Sequence, residues 1–172
     1  MVVNGIQSQG VMATSKHYVN NQQETNRHTI SENLDERTEF EMYLPPFEAA
    51  VNAGTLAIMC SYNKINETWS CENSRTLGYL KETMGFKYFV MSDWGATHST
   101  VESAFAGLDQ EQPSDEYFGS ALQANVRVCV CVLRHVASSD GRLVPVPDTS
   151  MLGVHGCDVT GAERYHSPVC GR

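Results

Sequence analysis

Three short stretches of this 172-residue chain gather side chains from which reactive sites are built: Lys16-His17, Ser61-Tyr62-Asn63 and Ser92-Asp93-Trp94-Gly95. Asp93 carries a carboxylate that can attack an electrophile or accept a proton. Such a group must stay ionised, which nearby positive charge and hydrogen-bond donors favour. Lys16 and the Tyr62 hydroxyl are the candidates for that task. Lys16 and His17 also offer directional donors and an acceptor to a polar ligand, and Trp94 offers a broad apolar face. Singly, each has a plainer reading. Asp93 can be a helix N-cap, Lys16-His17 a solvated strand end, Tyr62 a packed core aromatic and Trp94 apolar filler.

The elements around them argue for a common location. Gly10-Val11-Met12-Ala13-Thr14-Ser15, Leu56-Ala57-Ile58-Met59-Cys60 and Tyr88-Phe89-Val90-Met91 are short apolar runs suited to buried strands. Each is followed by a helical stretch. The first runs from Leu34 toward Leu44, capped by Ser31 or Asn33, with Asp35 and Glu36 near its positive end. Pro45-Pro46 should break or kink it, and Phe47–Ala53 should resume helix up to Gly54. The second begins at Asn73 or Ser74 and stops at Met84-Gly85; the third covers Thr100–Ala106 and ends at Gly107. Continuous apolar strands alternating with helices predict an α/β fold with a parallel sheet. In a (β/α) barrel the strand C-termini carry the active site. Lys16-His17, Tyr62 and Asp93-Trp94 would then meet on one rim, although an open doubly wound sheet fits the same pattern.

Composition narrows the function. The net charge is −8, and the 12 basic residues form no stripe, which argues against a nucleic-acid partner. The longest apolar run, Val128–Leu133, is far too short to span a membrane. The first residues show no basic and then apolar segment of the kind that directs secretion. The six histidines have no metal-ligand spacing, and there is no glycine-rich phosphate loop, so neither a metal nor a cofactor is expected. Glu24, Glu36, Glu39 and Glu41 read as solvated loop and helix faces. Cys60 and Cys71 flank the second loop. They form either a disulfide, which would fit an extracellular protein, or two buried thiols. Asn66-Glu67-Thr68 is an N-glycosylation acceptor sequence, meaningful only in a secreted chain.

The segment from Lys16 through Asn20-Asn21-Gln22-Gln23-Glu24-Thr25-Asn26 to Arg27 closely resembles a signature of glycoside hydrolase family 3. So do Met59-Cys60-Ser61-Tyr62-Asn63 and Val90-Met91-Ser92-Asp93-Trp94-Gly95-Ala96, in the same order and with fitting spacing. The match spans roughly residues 6–125 and looks nearest to the β-glucosidase and β-xylosidase branch. The resemblance implies part of a (β/α)8 barrel, shorter than the roughly 250 residues of a complete one. It implies a retaining hydrolase of terminal β-D-glucosyl or related bonds, acting on a β-glucoside or oligosaccharide. Asp93 would be the catalytic nucleophile. Lys16 and His17 would bind sugar hydroxyls, Tyr62 would stand beside the nucleophile, Trp94 would line the aglycone side and Met59 would touch the sugar. The family's acid/base glutamate comes from a second domain, and an upstream arginine also binds sugar; neither falls in this stretch. Full-length relatives of this kind are expected to be secreted. The contrasting expectation is a truncated or mis-predicted, non-catalytic product that binds sugar weakly at most.

Beyond Asn125 the chain changes character. Residues 1–125 hold 16 acidic and 7 basic side chains, whereas 126–172 hold 4 and 5, with ten Val, no Lys and four of the six Cys. These features divide the chain into a partial barrel domain, 1–125, and an atypical, irregular tail, 126–172. Val128-Cys129-Val130-Cys131-Val132 is what a repeated GT dinucleotide encodes, so the tail reads as translated intron or shifted frame; the contrasting reading is a real β-strand. Cys129, Cys131, Cys157 and Cys170 then form no disulfide framework or zinc site. Comparison of genomic DNA with mature transcript is expected to place a splice or frame discontinuity near codon 126. An abundant contiguous message encoding the tail would refute this.

Overall fold

The computed structural model describes residues 2–126 in full, together with the backbone of 127–133, 135–137 and 143–145. The described chain forms α1 (Val2–Gln7), β1 (Thr14–Tyr18), β2 (Ser31–Glu32), α2 (Glu36–Thr38) and α3 (Pro45–Asn52). It continues through β3 (Ala57–Cys60), β4 (Lys64–Ile65), β5 (Thr68–Trp69), α4 (Ser74–Gly78), β6 (Phe89–Ser92) and α5 (Val101–Ala106). Residues 121–172 group as a separate unit. The described backbone there includes most of α6 (Ser120–Leu133) and an antiparallel pair, β7 (His135–Ala137) with β8 (Leu143–Pro145). The Val128–Val132 run therefore lies in helical backbone rather than in a strand. Residues 146–172, and with them Cys157 and Cys170, lie outside the described residues.

The expected parallel sheet is present, in the order β1-β3-β6. Ser15, Lys16 and Tyr18 pair with Ile58, Met59 and Cys60, which in turn pair with Val90, Met91 and Ser92. Beyond β6, Met91 bridges Gln110 in the same parallel sense. The central strand is covered on both faces, with Ala57, Ile58 and Cys60 fully buried, as parallel strands under helices require. Tyr18 ties the sheet to its helical cover. Its ring meets Phe47 of α3 edge-on at 4.9 Å, and its hydroxyl donates to the Thr76 carbonyl of α4 at 2.6 Å. Leu44, Leu77, Leu80 and Val90 complete this core.

Several boundaries differ from expectation. The first strand is Thr14–Tyr18 rather than Gly10–Ser15, and Val11 and Met12 are more than half exposed. Its alternating exposure follows from its position at the edge of the described sheet. The first helix begins at Glu36 because Asp35, not Ser31 or Asn33, caps it, accepting from the Thr38 N–H at 2.9 Å. Ser31 is instead in β2, paired with Lys64. The two prolines do not interrupt a helix; they begin α3, in the first turn where missing N–H groups cost nothing. The preceding segment widens into a π-helical turn over Glu39–Tyr43, and the same happens over Tyr79–Thr83 after α4. Asn73 caps α4, and Gly85 and Gly107 take positive φ at the helix ends as expected.

Glu39, expected on a solvated face, is fully buried and bonded to both terminal nitrogens of Arg75. The fork joins the π-helical turn after α2 to α4. A buried carboxylate without its partner is strongly unfavourable. Arg75→Met is therefore expected to destabilise the fold by about 3–5 kcal/mol in chemical denaturation. Adding Glu39→Gln should recover part of that loss.

Candidate functional site

Register brings the strand ends to one edge. Cys60 and Ser92 are paired, so Tyr62 and Asp93 leave adjacent strands at nearly the same level, and the Asp93 N–H donates to the Cys60 carbonyl at 3.2 Å. On β1 the pairing skips His17, one extra residue between Lys16 and Tyr18. Such a bulge re-aims side chains, and here the imidazole meets Asp93.

The Asp93 carboxylate is nearly buried and held on both oxygens. Oδ1 accepts from the Tyr62 hydroxyl at 3.0 Å and from the Trp94 N–H at 2.7 Å. Oδ2 lies 3.3 Å from His17 Nε2. Burial pushes the His17 imidazole below its ordinary value, against the opposing pull of Asp93; Lys16 and Arg27 push it further down. Burial and the bond to Asp93 hold the Tyr62 phenol above its ordinary value. At neutral pH the imidazole and the phenol that face Asp93 are thus both neutral.

The loops are pinned beneath this cluster. Ser61 Oγ and Asn63 Nδ2 donate to the Val19 carbonyl, at 3.0 and 3.2 Å, and Ser70 Oγ donates to the Tyr18 carbonyl at 2.7 Å. The Cys60–Cys71 disulfide, left open by the sequence, is formed. The loop it closes contains the β4–β5 hairpin, whose turn residues Asn66 and Glu67 have positive φ and are exposed. On the far side, the Ser92 N–H donates to the Gln110 carbonyl and the Gly95 N–H to that of Gln112, fixing the chain around Asp93.

Of the residues singled out from sequence, His17, Tyr62 and Asp93 meet. The Trp94 backbone joins them, and the residue is 59% exposed. Met59 is half-buried and in register between Lys16 and Met91. Lys16 is exposed and its side chain has no hydrogen bond to a described residue; with His17 it lines a cavity of about 500 Å³ bounded also by Asn20, Tyr43 and Phe47. Sequence reasoning assigned nothing to Arg27 and His28, yet both pack on the Tyr62 ring, at 4.8 and 4.1 Å. Arg27 closes the first quoted motif, which was the available signal. Among the described residues no cluster of His, Cys, Asp or Glu could hold a metal ion, and no helix is long and apolar enough to cross a membrane.

The structure thus gathers a carboxylate, an imidazole and a phenol at the C-terminal edge of the parallel strands. Residues 1–133 match the glycosyl hydrolase family 3 N-terminal domain, and the chain belongs to that family. It is 54% identical over 116 residues to probable β-glucosidase L of Emericella nidulans, covering 67% of this chain and 16% of that protein. It is 51% identical over 120 residues to β-glucosidase cel3A of Pyricularia oryzae, covering 69% and 16%. The crystal structure of a β-D-glucoside glucohydrolase from Trichoderma reesei superposes with a TM-score of 0.70 at 50% identity, covering 72% of this chain and 18% of that one. The chain thus spans about one sixth of the length of these curated relatives. Its parallel strands and covering helices are part of a (β/α)8 barrel.

His17 is expected to titrate below 6.5 in histidine-selective NMR. Asp93→Asn, which removes the larger of the two charges that stabilise the imidazolium, should lower its midpoint further. A midpoint that rises in the variant would contradict the observed contact.

Proposed function

We propose that the protein of which this chain is part hydrolyses terminal β-D-glucosyl bonds, with Asp93 as nucleophile of a retaining, double-displacement mechanism. The observation that carries this reading is the unequal environment of the two Asp93 oxygens. Oδ1 is occupied by two donors, whereas among the described residues Oδ2 meets only His17. The first pair orients the carboxylate, and Oδ2 is the oxygen left to attack. It forms a bond to the anomeric carbon as the glycosidic bond breaks. A second carboxyl, about 5–5.5 Å away in the retaining geometry, protonates the departing oxygen and later activates water. The family resemblance assigns that acid/base to a second domain, outside the stretch of the relatives that this chain matches.

His17 and Lys16 bind hydroxyls of the sugar. With the imidazole neutral, one ring nitrogen donates and the other accepts, which suits a hydroxyl better than a second cation would. Met59 packs against the sugar, and the exposed Trp94 indole supplies an apolar face for the leaving group. The β-glucosidase names of the similar fungal proteins support glucose as the preferred glycone. The formed disulfide supports an oxidising, extracellular setting. No cofactor takes part in this mechanism.

Incubation of the full-length enzyme with a 2-deoxy-2-fluoro-β-glucoside should leave a fluoroglucosyl adduct on the peptide containing Asp93, read by mass spectrometry. Asp93→Ala should abolish both adduct and turnover of an aryl β-glucoside. Normal turnover by that variant would refute the assignment.

A further inference from the structure

The Tyr62 ring is gripped from the loop that follows β1. The Arg27 guanidinium lies over it, 4.8 Å from the centroid, and the His28 ring packs at 4.1 Å with planes inclined by 55°. At the opposite end of the same ring, the hydroxyl donates to Asp93. Arg27 also reaches Glu24 at 3.1 Å, but the two side chains are unlike in exposure, 29% for Arg27 and 84% for Glu24. Such an exposed pair contributes little by itself. The guanidinium is turned inward onto the ring, and the glutamate follows it.

We propose that Arg27 is a positioning residue for the Asp93 reaction, stacked on Tyr62 so as to fix the pitch of the ring and polarise the hydroxyl that holds Asp93 Oδ1. This rests on the nucleophile assignment above. A cation over an aromatic face is attracted by the ring quadrupole. It draws electron density from the phenol and makes the O–H a better donor. The field of Arg27 accordingly favours the ionised form of Tyr62, against burial and Asp93, which oppose it. A well-held Oδ1 leaves Oδ2 aimed at the anomeric carbon through the whole displacement.

The test uses the full-length enzyme and the rate of inactivation by a 2-deoxy-2-fluoroglucosyl fluoride, which reports attack by the nucleophile alone. Arg27→Met should slow this step roughly tenfold, the scale of coupling between groups in one network. Arg27→Lys, which keeps the charge without the flat stack, should recover part of the rate. In a Tyr62→Phe background, Arg27→Met should cost less than about twofold, because the hydroxyl through which it acts is gone. A merely structural arginine would give losses that multiply, and that result, or an unchanged rate in Arg27→Met, would overturn the proposal. Where Arg27→Met does not fold, Arg27→Lys in both backgrounds decides by the same criterion. The labelled residue separates the two readings. Adduct on Asp93 with multiplying losses removes only the role of Arg27. Adduct on another residue of the wild-type enzyme removes the nucleophile assignment and Arg27 with it.

Discussion

The in-register parallel pairing of β1, β3 and β6 is the constraint on which the candidate site depends. Cys60 opposite Ser92 sets Tyr62 and Asp93 side by side, and Met59 opposite Lys16 sets the level of the bulge at His17. Side chains alternate between faces along a strand, so a slip of one residue in any of these pairings would turn the wrong side chain toward the carboxylate. Burial of Ala57, Ile58 and Cys60 specifies that register from the core side. Hydrogen bonds to the Tyr18 and Val19 carbonyls specify it from the loop side. Core and loop thus enforce the same alignment.

Much of this was legible in the residues. Apolar runs ending in polar and aromatic clusters showed three strands and the edge they share. Gly85, Gly107 and the Asn73 cap marked helix ends, because each has a local physical reason independent of distant packing. The parts not legible were those decided by partners remote in sequence. Ser31 was a sound cap candidate, but pairing with Lys64 drew it into a strand and left the cap to Asp35. Val11 and Met12 had the composition of a buried strand, yet the strand begins three residues after Val11 and its outer side has no neighbour in the described sheet. Glu39 looked like any helical glutamate until Arg75, 36 positions away, placed it in the core. At the site, the grip of Arg27 and His28 on Tyr62 was hidden for the same reason: the sequence carried the motif but not the fold of the loop over the ring.

The polar groups under the site are few and mostly satisfied. Ser61, Asn63 and Ser70 spend their donors on two backbone carbonyls at the end of β1, where irregular chain would otherwise leave acceptors buried and unpaired. Asn20 is different: its side-chain amide is buried, with neither polar atom bonded to a described residue. It follows directly on the pinned carbonyls and takes a positive φ, so backbone geometry rather than its side chain accounts for its place.

The disulfide carries a consequence for the order in which the protein is made. Cys60 and Cys71 are 11 positions apart, and Tyr62 lies between them. On a nascent chain, both thiols leave the ribosome ahead of Asp93. Closing so short a loop needs no distant contact. The segment bearing Tyr62 can therefore be covalently set ahead of the docking of β6, so that Asp93 arrives at a template already in place.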